Sequence, residues 1–268
     1  MKNYCIKSIA VFIFSCIFLS NCKKNDDILV HVIKDEYTFE DQDEIGKTLK
    51  TLIVNSPDRY HILEQSENAD FYKYVNTLMD MLANTDYVTN RVNFKWDVTI
   101  IQDDNVTTSF ITPGGHLFIY TGLLKFINSE TELFSILAHE VNYADSGNLM
   151  ERLVSTFGKD VIGDLLLGYD IPTTRAVANS LENISYTEQE VLIADRYALN
   201  IICPFQYDAI GLKTFLERAN SNSFEIQWLE THPSSITRIE SIEEYAVNCG
   251  IEEDTFTQRY LEYKALLP

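Results

Sequence analysis

Two adjacent residues have the types that hydrolytic metal chemistry uses. His139 and Glu140 stand in Leu137-Ala138-His139-Glu140-Val141-Asn142-Tyr143-Ala144-Asp145, inside a run with helical apolar spacing (Leu133, Ile136, Leu137, Val141, Ala144). In an H-E-x-x-H helix, 3.6 residues per turn bring the His at i and the His at i+4 onto one face, where both can hold zinc. The Glu after the first His then faces the metal-bound water as general base. Here His139 is followed by Glu140, but position i+4 is Tyr143. A phenol with a pKa near 10 is a poor replacement for a neutral imidazole. The other chemistry-bearing residues, His116, Glu188, Glu190, Asp195, His232 and Arg238, are scattered along the chain. There is no CxxC pair, which removes zinc-ribbon and thioredoxin-like readings.

The elements that must position these residues are mostly helical. Residues 36–85 carry apolar positions at helical spacing (Leu49, Leu52, Ile53, then Phe71, Val75, Leu78, Met79, Leu82) and read as two helices. Alternation and β-branching over residues 93–101 give a strand, and Asp103-Asp104-Asn105 a turn. Residues 109–120 form a second strand interrupted by Pro113-Gly114-Gly115. Everything after Thr121 reads helical, in segments near 130–145, 150–167, 174–202, 207–219, 234–249 and 254–267. The expected fold class is mostly α with a small antiparallel β element, that is, α+β.

Four separated segments then match one family in one order. Ser109-Phe110-Ile111-Thr112-Pro113-Gly114-Gly115-His116-Leu117-Phe118-Ile119-Tyr120-Thr121-Gly122-Leu123-Leu124 resembles the "NAFxxPGGxixvxxGLL" strand and turn of HtpX-like and CAAX-prenyl-protease-type zinc metallopeptidases. Residues 137–145 are similar to that family's "LAHEIAHVxxxH" helix, and Tyr186-Thr187-Glu188-Gln189-Glu190-Val191-Leu192-Ile193-Ala194-Asp195 to its "YSRxxExxAD" helix. Thr231-His232-Pro233-Ser234-Ser235-Ile236-Thr237-Arg238-Ile239 resembles its "THPxxxxRI" element. The likeness covers roughly residues 95–242 and implies a zincin-like domain, here over residues 36–268.

The resemblance assigns His139 to the first zinc position and Glu140 to a vestigial general base, with Tyr143 and Val191 at the second and third ligand positions. Glu190 is one residue from the third position, but one residue turns a helix by about 100°, so only a local bulge would bring Glu190 or Glu188 to a metal. Asp195 supports the ligands in relatives, and His232 with Arg238 lies near the catalytic centre. Zinc is the implied cofactor of an intact family site. With one ligand in three, the expectation here is no metal, and a polar network of His139, Glu140, Tyr143, His232 and Arg238 in its place. Glu140 is then expected to pair with Arg238 and His232. The resemblance also implies a substrate strand at the sheet edge, Gly114, Gly115, His116, Leu117 and Phe118, able to pair with an extended polypeptide; His116 itself reads as a strand histidine, not a ligand. Three functions follow: an inactive peptidase homologue that binds polypeptide, a working metalloendopeptidase with altered ligands, or a structural protein.

The N-terminus is an address. Lys2 and Lys7 precede an apolar stretch of about eleven residues, too short for the roughly 20 that a membrane-spanning helix needs. Leu19-Ser20-Asn21-Cys22 reads as a lipobox, so residues 1–21 are the signal peptide, Cys22 carries the lipid, and residues 22–35 are a polar tether. The expected place is the cell envelope, lipid-anchored, at either face of the outer membrane. Of five cysteines only Cys203 and Cys249 remain for a disulfide, whose formation sequence leaves open. Removing Lys2 and Lys7 takes the net charge from -19 to -21, which excludes nucleic acid as a partner.

Overall fold

The computed structural model describes residues 37–205, 207–222, 225–249 and 254–268. The expected signal segment 1–21, Cys22 and the rest of the stretch before Tyr37 lie outside the described residues. Two helices open the described chain, α1 (Phe39–Val54) and α2 (Ala69–Ala83). Strands β1 (Asp97–Ile101), β2 (Ser109–Ile111) and β3 (His116–Tyr120) follow, then α3 (Thr121–Phe126) and α4 (Glu130–Asp145). The remaining helices are α5 (Asn148–Phe157), α6 (Lys159–Leu166), α7 (Pro172–Ser180), α8 (Glu188–Ile202), α9 (Gly211–Asn220), α10 (Trp228–Thr231), α11 (Ile236–Ala246) and α12 (Thr257–Lys264). No helix among the described residues is long and apolar enough to cross a membrane.

The fold is α+β, but its sheet is mixed and not purely antiparallel. Strand order is β1-β3-β2. β2 doubles back through Pro113-Gly114-Gly115 to pair antiparallel with β3, while β1 lies on the other side of β3 and runs parallel to it. Gly114 and Gly115 have φ of 77° and 88°, the region glycine enters freely. A Cβ on Gly115 would also stand 2.7 Å from the Trp96 ring. The Pro-Gly-Gly signature is therefore a requirement of this turn.

Two of the long helical segments expected from periodicity are each split in two. Residues 150–167 break at Gly158, whose φ of 83° is not helical. The 174–202 segment breaks after Ser180, and α8 starts afresh at Thr187, which caps it. The core is organised around α4, in which every residue from position 130 to 144 is buried. Such a helix lacks a solvent-exposed face and so passes through the middle of the domain. It packs mainly on α8, with β2 and α9 on other sides. Ser129 caps its first turn by accepting from the Glu132 N–H at 3.2 Å.

Candidate active site

α4 presents His139, Glu140 and Tyr143 to the region between α8, β2 and the segment that carries α10. His139 is fully buried. Its Nε2 is 3.1 Å from the Tyr143 hydroxyl, one helical turn on. Its Nδ1 lies 2.8 Å from Asp195 Oδ1 on α8, at an angle too bent for a good hydrogen bond. A proton on Nδ1 facing the carboxylate leaves Nε2 as the acceptor of the phenol O–H. Burial lowers the His139 pKa, with Asp195 working in the opposite sense. The Tyr143 ring is stacked on Tyr186 with centroids 3.5 Å apart, and burial holds its hydroxyl well above the usual phenol range.

Glu140 is also buried, and its Oε1 accepts from Ser109 Oγ at 2.7 Å and Trp228 Nε1 at 2.9 Å. Burial pushes its pKa up to about 7, against the pull of those two donors. His232 Nε2 stands 3.8 Å away and has no hydrogen-bond partner. The other nitrogen, Nδ1, is 3.0 Å from the Trp228 carbonyl and donates there, so Nε2 is left with its lone pair. The His232 ring lies flat on Trp228 with centroids 4.4 Å apart.

Arg238, fully buried on α11, forms a bidentate pair with Asp195 through Nε at 2.6 Å and Nη2 at 2.9 Å. It donates again to the His232 carbonyl at 3.1 Å. Burial alone would raise the Asp195 carboxyl, but Arg238 and His139 outweigh it and hold the group below its usual range.

The fold thus gathers His139, Glu140, Tyr143, Asp195, His232 and Arg238 in one buried cluster, with pairings that differ from those expected. Arg238 neutralises Asp195 instead of Glu140, because α11 packs directly on α8. Glu140 meets neutral donors, and the raised pKa is how a buried carboxyl without a cation lowers its cost.

Glu190 does not serve as the substitute third ligand. α8 has no bulge, and Glu190 closes a capping box with Thr187 while pairing with Arg152 at 2.5 and 2.6 Å. Val191 is fully buried, one turn before Asp195 on the same helix face. A catalytic zinc takes three protein ligands. Here His139 Nε2 is occupied by a phenol and Val191 offers no donor atom. Among the described residues, no group of three or more His, Cys, Asp or Glu side chains is placed to hold a metal ion. The residues present do not fit the zinc of the resembling family.

The expected substrate strand is also corrected. Gly114, Gly115, His116, Leu117 and Phe118 are all buried, and β3 is the central strand, hydrogen-bonded on both sides. Just before β2, Thr107 accepts from the Trp228 N–H at 2.9 Å and donates to Gln227 Oε1 at 2.8 Å. On the outer side of β1, Asn76 and the Tyr72 hydroxyl accept from Val98 and Ile100. His116 is packed in the strand, its Nδ1 3.0 Å from Asp97 Oδ1.

Sequence reasoning missed Trp228, Ser109 and Arg152. Trp228 stands four residues before His232, a helical spacing that would have suggested their contact. Thr187-x-x-Glu190 is a capping-box pattern, and it explains why Glu190 faces away from the centre. Cys203 and Cys249 form a disulfide with Cα atoms 5.2 Å apart.

The sequence profile of peptidase family M48 matches residues 72–246. The mitochondrial metalloendopeptidase OMA1 of Schizosaccharomyces pombe is 24% identical over 176 residues, which cover 63% of this chain and 52% of that protein. The beta-barrel assembly-enhancing protease of Escherichia coli strain K12 is 24% identical over 185 residues, 62% of this chain and 37% of that protein. Its namesake in Yersinia pestis is 24% identical over 207 residues, 70% and 42% of the two chains. The chain therefore spans about half or less of these relatives' length.

Proposed function

This chain belongs to peptidase family M48, with a zincin-like fold and relatives named as proteases, and from that membership we propose that it is a non-catalytic member, a lipid-anchored envelope protein that binds polypeptide without cleaving it. The observation that carries the proposal is the Tyr143 hydroxyl on His139 Nε2, at 3.1 Å, in a cluster closed to solvent. Peptide hydrolysis needs a water and a scissile bond beside the general base. Glu140 is 1% exposed and is engaged by Ser109 and Trp228, so neither reactant reaches it. In this reading the former catalytic groups have become a polar joint of the core.

The envelope part rests on the lipobox ending at Cys22 and on the Cys203–Cys249 disulfide, which suits an oxidising compartment. Relatives named for beta-barrel assembly suggest envelope polypeptides as partners. With β3 internal to the sheet, such a partner is met elsewhere on the surface.

Metal analysis of protein purified without chelators, run beside a casein-cleavage assay, tests the reading. The expected result is far below one zinc per chain and no cleavage. Stoichiometric zinc that disappears in His139→Ala, together with cleavage that disappears in Glu140→Gln, would restore the active-peptidase reading.

A further inference from the structure

The disulfide and its surroundings lie outside everything the peptidase motifs explain. Cys203 directly follows α8 and Cys249 lies just past the end of α11, so the bond ties the ends of the two helices that Asp195 and Arg238 also pair. Both cysteines are half-buried. Cys249 lines an open groove of about 710 Å³, on the order of 9 Å across.

Four carboxylates share that groove with Cys249. Asp208 comes from the segment before α9, and Glu240, Glu243 and Glu244 come from α11. Lys213 on α9 bonds Glu243, and also meets Glu217 at 3.7 Å, so the charge of Glu243 is cancelled. Glu240 and Glu244 are exposed and have no ion pair among the described residues. The Asp208 carboxylate accepts from the Ile210 N–H at 3.0 Å, a neutral donor. Arg196 on α8 is held over the Tyr245 ring, 4.4 Å from its centroid, and does not line the groove. Four carboxylates less one ammonium leave about three negative charges around Cys249.

A disulfide is opened by a thiolate, which brings its own negative charge to the sulfur it attacks. At roughly 10 mM ionic strength the Debye length is about 30 Å, several times the width of this groove, so the carboxylates act on an entering thiol almost unscreened.

We propose that Cys203–Cys249 is a charge-gated redox latch, open to thiol attack at Cys249 from the groove and guarded there by carboxylates that turn away anionic thiols. In the first step the thiolate bonds to Cys249 Sγ as the bond to Cys203 breaks, and Cys203 leaves as a thiolate that takes a proton from water. A second thiolate then attacks the added sulfur, releasing Cys249 and the disulfide of the reductant. Two thiols thus supply the two electrons. Opening the latch frees the end of α8 from the end of α11 and leaves Asp195 and Arg238 to hold that pair of helices. A small anionic thiol is a poor key for it, whereas a thiol that carries positive charge beside its sulfur is a good one.

Reduction of the full chain by cysteamine, mercaptoethanol and mercaptopropionate tests the latch, because their thiolates differ in turn by one unit of negative charge. Free cysteines are alkylated at intervals and counted by mass spectrometry, and each rate is divided by that thiol's rate on hydroxyethyl disulfide, which removes intrinsic nucleophilicity. At about 10 mM ionic strength the normalised rate should fall about fivefold for each added negative charge. At about 1 M salt the whole spread should shrink below about twofold. Glu240→Gln combined with Glu244→Gln, both at exposed positions, should reduce each step to about twofold at low salt. The first mixed disulfide should be found on Cys249. The proposal is overturned by equal normalised rates for the three thiols, by a spread that survives in the double variant or in 1 M salt, or by a first adduct on Cys203. A rate independent of thiol concentration also overturns it, because the bond then opens only when the chain unfolds.

Discussion

Replacing Glu140 with Gln should stabilise this protein, by an amount that depends on pH in a way only a buried neutral carboxyl produces. In the folded state burial raises Glu140 from 4.5 to about 7. Below pH 4.5 the carboxyl is protonated in both folded and unfolded chains, and its ionisation contributes nothing to stability. Between pH 4.5 and 7 the unfolded chain releases this proton and the folded chain keeps it, so stability falls as pH rises. At about 1.4 kcal/mol per pH unit of difference, the loss reaches about 3 kcal/mol above pH 7. Gln is neutral at every pH and retains an acceptor oxygen for Ser109 and Trp228, the two bonds that hold Oε1. His139 and His232 have lowered pKa values, so they draw stability down as pH falls below about 6.5, in the opposite direction. They remain in both proteins and cancel in the comparison. Urea unfolding of the two proteins at several pH values between 4.5 and 8 therefore isolates Glu140. The stability difference should start near zero and grow to about 3 kcal/mol in favour of the Glu140→Gln variant, or about 6–12 °C in Tm for a domain of this size. A difference that stays flat across this range would refute the assignment of a neutral Glu140, as would a variant less stable than the parent at pH 8.

Arg238→Met removes the cation from Asp195 and leaves a buried carboxylate with only a bent contact to His139; a loss of about 3–5 kcal/mol is expected in urea unfolding. Arg238→Met combined with Asp195→Leu should recover much of that loss, since neither charge is then stranded. Cys203→Ser opens a loop closed across 46 residues, and chain entropy puts the cost at up to about 4 kcal/mol, measurable as a lower urea midpoint matched by reduced wild type. Tyr143→His with Val191→Glu rebuilds the second and third ligand positions, because Val191 lies one turn before Asp195 on the face that meets α4. Near-stoichiometric zinc is expected in that double variant and not in either single one; zinc-free double variant protein would place the third position elsewhere on α8.

The parts of the site legible in the sequence were those that depend on spacing along one helix. His139 and Tyr143 meet because four residues make a turn, and Val191 and Asp195 share a face of α8 for the same reason. The bounds of α4 follow from Ser129 as cap and a continuous apolar run. Pairings between elements were not legible. Arg238 stands on α11, and its pairing with Asp195 instead of Glu140 follows from how α11 packs on α8, which no local pattern encodes. The place of β3 was hidden for the same reason. Pro-Gly-Gly predicts the turn between β2 and β3, but only the path of residues 102–108 sets β1 on the outer side and makes β3 central. Periodicity also merged helices that a single backbone torsion separates, as at Gly158.

His139, Glu140, Asp195, His232 and Arg238 are all engaged within the core, and the bonding shows how. Asp195 ties α8 to α11 through Arg238, while Glu140 ties α4 to β2 through Ser109 and to α10 through Trp228. His232 is held by its stack on Trp228 and by the Trp228 carbonyl, and its own carbonyl accepts from Arg238. Each residue that a peptidase would use on substrate here closes a contact between elements of the core. Substituting one of them strands a partner in a medium where an unpaired polar group costs about 1–3 kcal/mol. His139 and Glu140 are thus required by the packing of this chain whether or not it ever meets a metal. Their presence is therefore weak ground for assigning catalysis, whereas Tyr143 and Val191, which no polar bond compels at those positions beyond the one to His139, are the informative ones.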